Sequence, residues 1–233
     1  MSDNQKWLLS AILSILFVAT SAGSSMASRS HDLPADINPS ARYLFYLHGK
    51  IAEDKGPNGM NRQYGAYDYF GLLKAFEGYG FTVVSALRPR GTKPGRYAHR
   101  IARQIEKLKS AGVPSRNIAV VGFSKGGVIT FYVSAALDDP ELNYVVMAGC
   151  GKGSFARAYK QILKNVAPSL SGRFLSIYDR SDDSGGTCKE AFKKGAGSIK
   201  SSEIKLKTGL GHGVFYRPRN VWLKPVTEWI TEN

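Results

Sequence analysis

Ile118-Ala-Val-Val-Gly-Phe-Ser-Lys-Gly-Gly127 is the stretch whose reading decides the fold. Four apolar residues, Ile118 to Val121, lead into Gly122-Phe123-Ser124-Lys125-Gly126, and an amphipathic stretch runs on from Gly127 to about Leu137. Strand, Gly-x-Ser-x-Gly, helix is the layout of a nucleophile elbow. A serine on so tight a turn points its hydroxyl outward. Gly122 and Gly126 stand two residues to either side, where a side chain would block the approach of strand to helix. The free N–H groups of the helix start face the space above the serine. Alone, the five-residue pattern also suits a glycine-rich turn that caps a helix, so the flanking sequence has to decide.

On the N-terminal side, Arg42-Tyr-Leu-Phe-Tyr-Leu47 reads as a strand without polar alternation, which implies burial on both faces, as in a parallel sheet. It ends at His48-Gly49-Lys50, and a loop rich in Gly, Asn and Pro follows to about Gln63. Tyr67 to Tyr79 reads as a helix with Phe70, Leu73 and Phe76 on one side, and Phe81 to Leu87 as the second strand. After the loop from Arg88 to Gly95, the residues Tyr97, Ile101, Ile105 and Leu108 form the apolar stripe of a helix, with Arg100, Arg103, Lys107 and Lys109 opposite.

On the C-terminal side, strands at Asn143–Ala148, Arg173–Tyr178 and Glu203–Lys207 alternate with helices at about Ser154–Val166 and Cys188–Lys193. A closing helix, Val221 to Ile230, has Val221, Trp222, Val226, Trp229 and Ile230 as its core face. The alternation predicts a three-layer α/β/α sandwich around a mainly parallel sheet of about six strands. In such sheets reactive groups collect at the carboxyl ends of the strands. Those ends carry His48-Gly49-Lys50, Arg88, Ser124, Gly149-Cys150, Asp179 to Asp183, and Gly211-His212.

A serine hydroxyl needs a base. Of four histidines, His31 lies in the lead-in, His48 precedes a glycine, and His99 sits on a charged helix side. His212 remains, in a glycine-bracketed loop directly after a strand and downstream of Ser124. The orienting acid belongs after a strand between them, and the loop behind Tyr178 offers Asp179, Asp182 and Asp183. Asp182, four residues past the strand, has room to turn back toward His212; Asp179 is the alternative. The oxyanion hole would take the backbone N–H of Lys125 and a second donor around Lys50. Arg88 and Arg90 follow the second strand on the same side and would favour an anionic substrate.

Leu47-His48-Gly49 after a strand, the Gly122–Gly126 elbow, the aspartate loop after Tyr178 and Gly211-His212 together resemble the α/β-hydrolase superfamily. The resemblance is to small bacterial members of the dienelactone-hydrolase and carboxylesterase kind, and it covers roughly residues 42–233. It implies Ser124 as nucleophile, Asp182 as acid and His212 as base, in the superfamily's chain order. Two features depart from the pattern. The two usual leading strands are missing ahead of Arg42, and the segment between Gly151 and Arg173 holds one helix where larger members insert a cap. An open, lidless site is expected. Cys150 and Cys188 follow neighbouring strands, close enough to form a disulfide that pins the acid loop.

Composition sets the remaining bounds. The chain has 233 residues, 43% hydrophobic and 21% charged, enough for one domain with a sizeable core. Residues 1–27 read as a signal peptide: a short apolar run from Trp7 to Ala19, then small residues ending at Ser25-Met26-Ala27. The domain would then span 28–233 and be periplasmic or secreted, without a transmembrane segment. Asp3 and Lys6 cancel, so the formal net charge of +14 belongs to that domain and implies attraction to anionic partners. The cations are spread along the sequence without interleaved aromatics, so nucleic acid is not expected. No metal-ligand spacing or dinucleotide fingerprint is present, and no cofactor is implied. The expectation is an exported serine hydrolase that cleaves a small-molecule or polymer ester through an acyl-enzyme. Amide, thioester or C–C hydrolysis on the same residues is the alternative, or non-catalytic binding of an anionic polymer.

Overall fold

A computed structural model describes residues 32–195 and 199–232. The proposed signal peptide lies outside the described residues. Six strands form the central sheet: β1 (Arg42–Leu47), β2 (Phe81–Val84), β3 (Ile118–Phe123), β4 (Asn143–Met147), β5 (Gly172–Asp179) and β6 (Ile199–Leu206). Their order across the sheet is β6-β5-β4-β3-β1-β2, and every pairing is parallel. The helices are α1 (Lys50–Lys55), α2 (Tyr69–Gly78), α3 (Pro94–Ser110), α4 (Lys125–Leu137), α5 (Ala156–Asn165), α6 (Lys189–Lys194) and α7 (Asn220–Thr231).

Strands that are apolar on both faces need cover on both, and successive side chains divide between two cores. Tyr43, Phe45, Ile118, Val120, Tyr144 and Val146 pack with α3, α4, α5 and α6. Leu44, Tyr46, Ala119, Val121, Val145 and Met147 pack with α2 and α7. Between β4 and β5 the only α-helix is α5, so no cap domain is inserted there.

Three local readings are corrected. The segment after His48 opens with the short helix α1, which Gly and Pro further along masked. Phe70 is exposed, and Tyr69, Leu72, Leu73 and Phe76 are the buried residues of α2. Asp68 caps this helix, accepting from Gly71 N–H at 2.9 Å, so it starts later than Tyr67. Val221 is also exposed, and Leu223 takes its place on the core face of α7.

Candidate active site

The sharp turn at Ser124 is built as its sequence requires. The residue has φ 54° and ψ −115°, a strained conformation for a non-glycine residue. A Cβ on Gly122 would lie 2.3 Å from Gly126 O, and one on Gly126 would lie 1.8 Å from Leu47 O. The two glycines therefore let β3, α4 and the end of β1 meet backbone to backbone. Ser124 N–H donates to Met147 O at 2.8 Å, tying the turn to β4. Ala148, directly after β4, also has positive φ, at 49°.

Ser124 and His212 line one cavity of about 210 Å³ at the carboxyl end of the sheet. Its walls are mostly apolar, with Pro94, Val128, Ala148, Phe155 and Tyr159 among them. Lys50 and Lys125 line it too, and each is the first residue of a helix, α1 and α4. First-turn N–H groups have no intrahelical acceptor, so both helices begin with free donors at residues that line this cavity.

Asp182 and His212 are brought together: His212 Nδ1 lies 2.7 Å from Asp182 Oδ2. The other carboxylate oxygen, Oδ1, accepts from the N–H groups of Ser184 at 2.7 Å and Gly185 at 2.9 Å. Burial opposes the charged form of Asp182, but the bond to His212 and these backbone donors outweigh it and hold the pKa below the usual carboxylate range. The His212 ring packs against Phe123, 4.8 Å between centroids, and against Tyr64 at 6.3 Å. Ser124 Oγ and His212 share the cavity without a direct hydrogen bond.

Asp179 is employed elsewhere. Oδ1 accepts from Ser181 N–H and hydroxyl at 2.9 and 2.5 Å, and Oδ2 from Thr208 N–H and hydroxyl at 2.8 and 2.7 Å. Burial raises its pKa, these four donors lower it more, and it settles at about 2. Asp179 thus joins the acid loop to the loop leading to His212.

Arg88 corrects a sequence expectation. It is buried, donates to His48 O, and places Nε 3.5 Å from Glu53 Oε2 with both side chains fully covered. It supports the loop after β1 from below and does not reach the cavity. Arg90 is exposed, 3.7 Å from Asp54, and lies outside the cavity wall. Glu53 was not legible as a site residue. Its Oε1 accepts from Gly91 N–H at 2.9 Å, Thr92 N–H at 3.1 Å and Lys125 Nζ at 2.5 Å. The Lys125 side chain thus anchors the start of α4 to α1. An acid in a short helix hidden by loop-like sequence gave no periodic signal.

His48 Nε2 accepts from Arg88 N–H at 2.9 Å, and Nδ1 donates to Gly49 O at 2.8 Å. Both nitrogens are occupied in the neutral ring. Burial, then the Arg88 charge, pushes its pKa down to about 3. Below about pH 6.5 the unfolded chain binds a proton here that the folded chain refuses. Stability should therefore fall by about 1.4 kcal/mol per pH unit from about 6.5 down to about 3. Denaturant titrations at pH 7 and 5 should show a loss of about 2 kcal/mol in the wild type that His48→Gln lacks. Equal losses in both proteins would remove His48 as the cause.

Cys150 and Cys188 form a disulfide, with Cα atoms 5.3 Å apart. Cys150–Gly151 also pairs antiparallel with Gly185–Gly186, so the loop bearing Asp182 is fastened at two points.

No protein-family model matches the sequence, and no curated protein matches it significantly. Solved structures do match. SOBER1 of Arabidopsis thaliana superposes with a TM-score of 0.52 at 13% identity, over 83% of this chain and 99% of that one. A lipase-esterase related protein from Clostridium acetobutylicum gives 0.51 at 15%, over 84% and 96%. An acetyl xylan esterase from Paenibacillus sp. R4 gives 0.52 at 13%, over 85% and 77%. The chain has the α/β-hydrolase fold. In terms of that fold, Ser124 occupies the elbow between β3 and α4. Asp182 follows β5, and His212 follows β6.

Proposed function

We propose that the protein is a serine hydrolase that cleaves a carboxylic ester through an acyl-enzyme. The observation that carries this reading is the 2.7 Å contact of Asp182 with His212, which lines one cavity with Ser124. Asp182 fixes the proton on Nδ1 of His212, which leaves Nε2 to take the Ser124 proton. Ser124 Oγ attacks the acyl carbon, and the N–H groups of Lys125 and Lys50 receive the developing oxyanion. His212 returns its proton to the departing alcohol. Water, deprotonated by the same imidazole, then releases the acid. The apolar walls suit an acyl group of modest size. The likeness to esterases supports an ester as the bond broken, and the disulfide supports export of a domain spanning 28–233 after removal of 1–27.

A fluorophosphonate tests the nucleophile. Intact-mass analysis should find one adduct on the wild type, none on Ser124→Ala, and labelling at least about 10³-fold slower on His212→Ala. Equal labelling of the wild type and Ser124→Ala would overturn the proposal.

A further inference from the structure

Beside the cavity runs an open groove of about 450 Å³, lined by Arg90, Lys93, Arg96, Arg100 and Arg103, with Tyr97 among its walls. Residues 89–105 contain these five cations and no Asp or Glu. Arg96, Arg100 and Arg103 stand at i, i+4 and i+7 of α3, within an arc of about 60° on one side of the helix. Lys93, Arg96, Arg100 and Arg103 pair with no carboxylate among the described residues. Neighbouring like charges cost energy unless something neutralises them.

The groove lies next to the cavity, since the sequence neighbours Lys93 and Pro94 line one and the other. Glu53 holds both sides of this junction, accepting from Gly91 and Thr92 in the groove loop and from Lys125 in the cavity wall. We infer that the groove binds an acidic polysaccharide and that this chain carries the ester cleaved at Ser124, an inference that rests on the hydrolase reading above.

Three observations select that partner. The cations are strung out, with about 10 Å along the axis between Arg96 and Arg103, which fits a chain with a charge on successive units better than a single small anion. The only aromatic ring in the groove, Tyr97, is 9% exposed, and Arg88 and Arg100 lie over it at 5.5 and 5.9 Å, so no face is open for stacking a nucleobase. None of the exposed large hydrophobic residues lines the groove, so a lipid surface finds nothing there to insert. The disulfide also suits an oxidising setting outside the cytosol, where acidic glycans are available as polyanions.

The test uses the full chain with Arg96→Glu/Arg103→Glu, and with Arg96→Gln/Arg103→Gln as the milder pair. Fluorescein-labelled polygalacturonate is titrated into each at low salt, in a Ser124→Ala background so that turnover plays no part. Acetate release from O-acetylated polygalacturonate and hydrolysis of p-nitrophenyl acetate are followed with Ser124 intact. Charge reversal should weaken polygalacturonate binding at least about tenfold, with the effect fading at about 0.5 M salt, and should lower kcat/KM on the acetylated polymer by a similar factor. The neutral pair should lie between, and p-nitrophenyl acetate hydrolysis should be unchanged in both. Equal affinity of wild type and variants for polygalacturonate would overturn the inference. So would tighter binding of a single-stranded oligonucleotide, or of phosphatidylglycerol vesicles, lost in the same variants. Polygalacturonate binding by a wild type that hydrolyses neither ester would instead overturn the hydrolase reading and leave the groove in place.

Discussion

Asp182→Asn is expected to lower kcat/KM for p-nitrophenyl acetate about 10⁴-fold, whereas Asp179→Asn should leave it within about threefold of wild type. Asp179 ends β5 and Asp182 follows three residues on in the loop behind it, and both are buried. Their partners separate them. Because Asp182 Oδ1 is held by two backbone donors, an asparagine there keeps its carbonyl oxygen on Ser184 and Gly185 and turns its NH₂ toward His212. His212 Nδ1 must then accept, the ring proton moves to Nε2, and the imidazole can no longer take a proton from Ser124. The Asp179→Asn variant would keep the fold's connections in weakened form, since two of the four donors around that side chain would face an NH₂ group. It should lose about 2–4 kcal/mol of stability with its active site intact. Steady-state kinetics and denaturant unfolding of both variants check the pair. Comparable activity loss in the two would dissolve the distinction drawn between them.

Replacing both Cys150 and Cys188 by serine should cost about 3.9 kcal/mol, the loop-closure entropy for the sequence separation of 38. For a domain of this size that lowers Tm by about 8–15 °C. The bridged segment contains α5, β5 and the whole acid loop, so the link restrains the unfolded chain over the part that carries Asp182. Activity at low temperature should survive. The bonds from Ser184 and Gly185 to Asp182 are local and do not need the sulfurs. Thermal inactivation should then move down with Tm. Calorimetry showing a shift below about 2 °C would mean that the Cys150–Gly151 and Gly185–Gly186 ladder alone holds the loop.

The parallel sheet was legible because strands apolar on both faces, separated by amphipathic stretches, leave few other arrangements. That Asp182 meets His212, and that His212 shares a cavity with Ser124, was legible because residues at strand ends converge in such sheets. What stayed hidden depends on side chains from distant segments. Arg88 follows a strand like a site residue, yet the polar backbone beneath His48 draws it inward. Glu53 gained its meaning from Gly91, Thr92 and Lys125, which nothing in the local pattern connects to it. Arg100 and Arg103 were visible on the charged side of their helix but were counted as part of a dispersed charge, and Arg96, one turn earlier, was not singled out. Tyr64 packs on His212 from a turn whose sequence carried no period.

The strand order β6-β5-β4-β3-β1-β2 has a consequence for how the chain is made. Once β3 has docked on the side of β1 that β2 leaves free, each later strand docks on the outer side of the one before it, so the sheet grows in a single direction as synthesis proceeds. Until its successor emerges, each newest strand presents an unpaired apolar margin, the kind of surface that draws neighbouring nascent chains together. Growth ends at β6, whose Lys200, Ser201, Ser202, Glu203 and Lys205 break the apolar run, making it a strand suited to have no successor. His212 arrives only after that final strand. An incompletely synthesised molecule can therefore already possess the whole sheet and still lack His212.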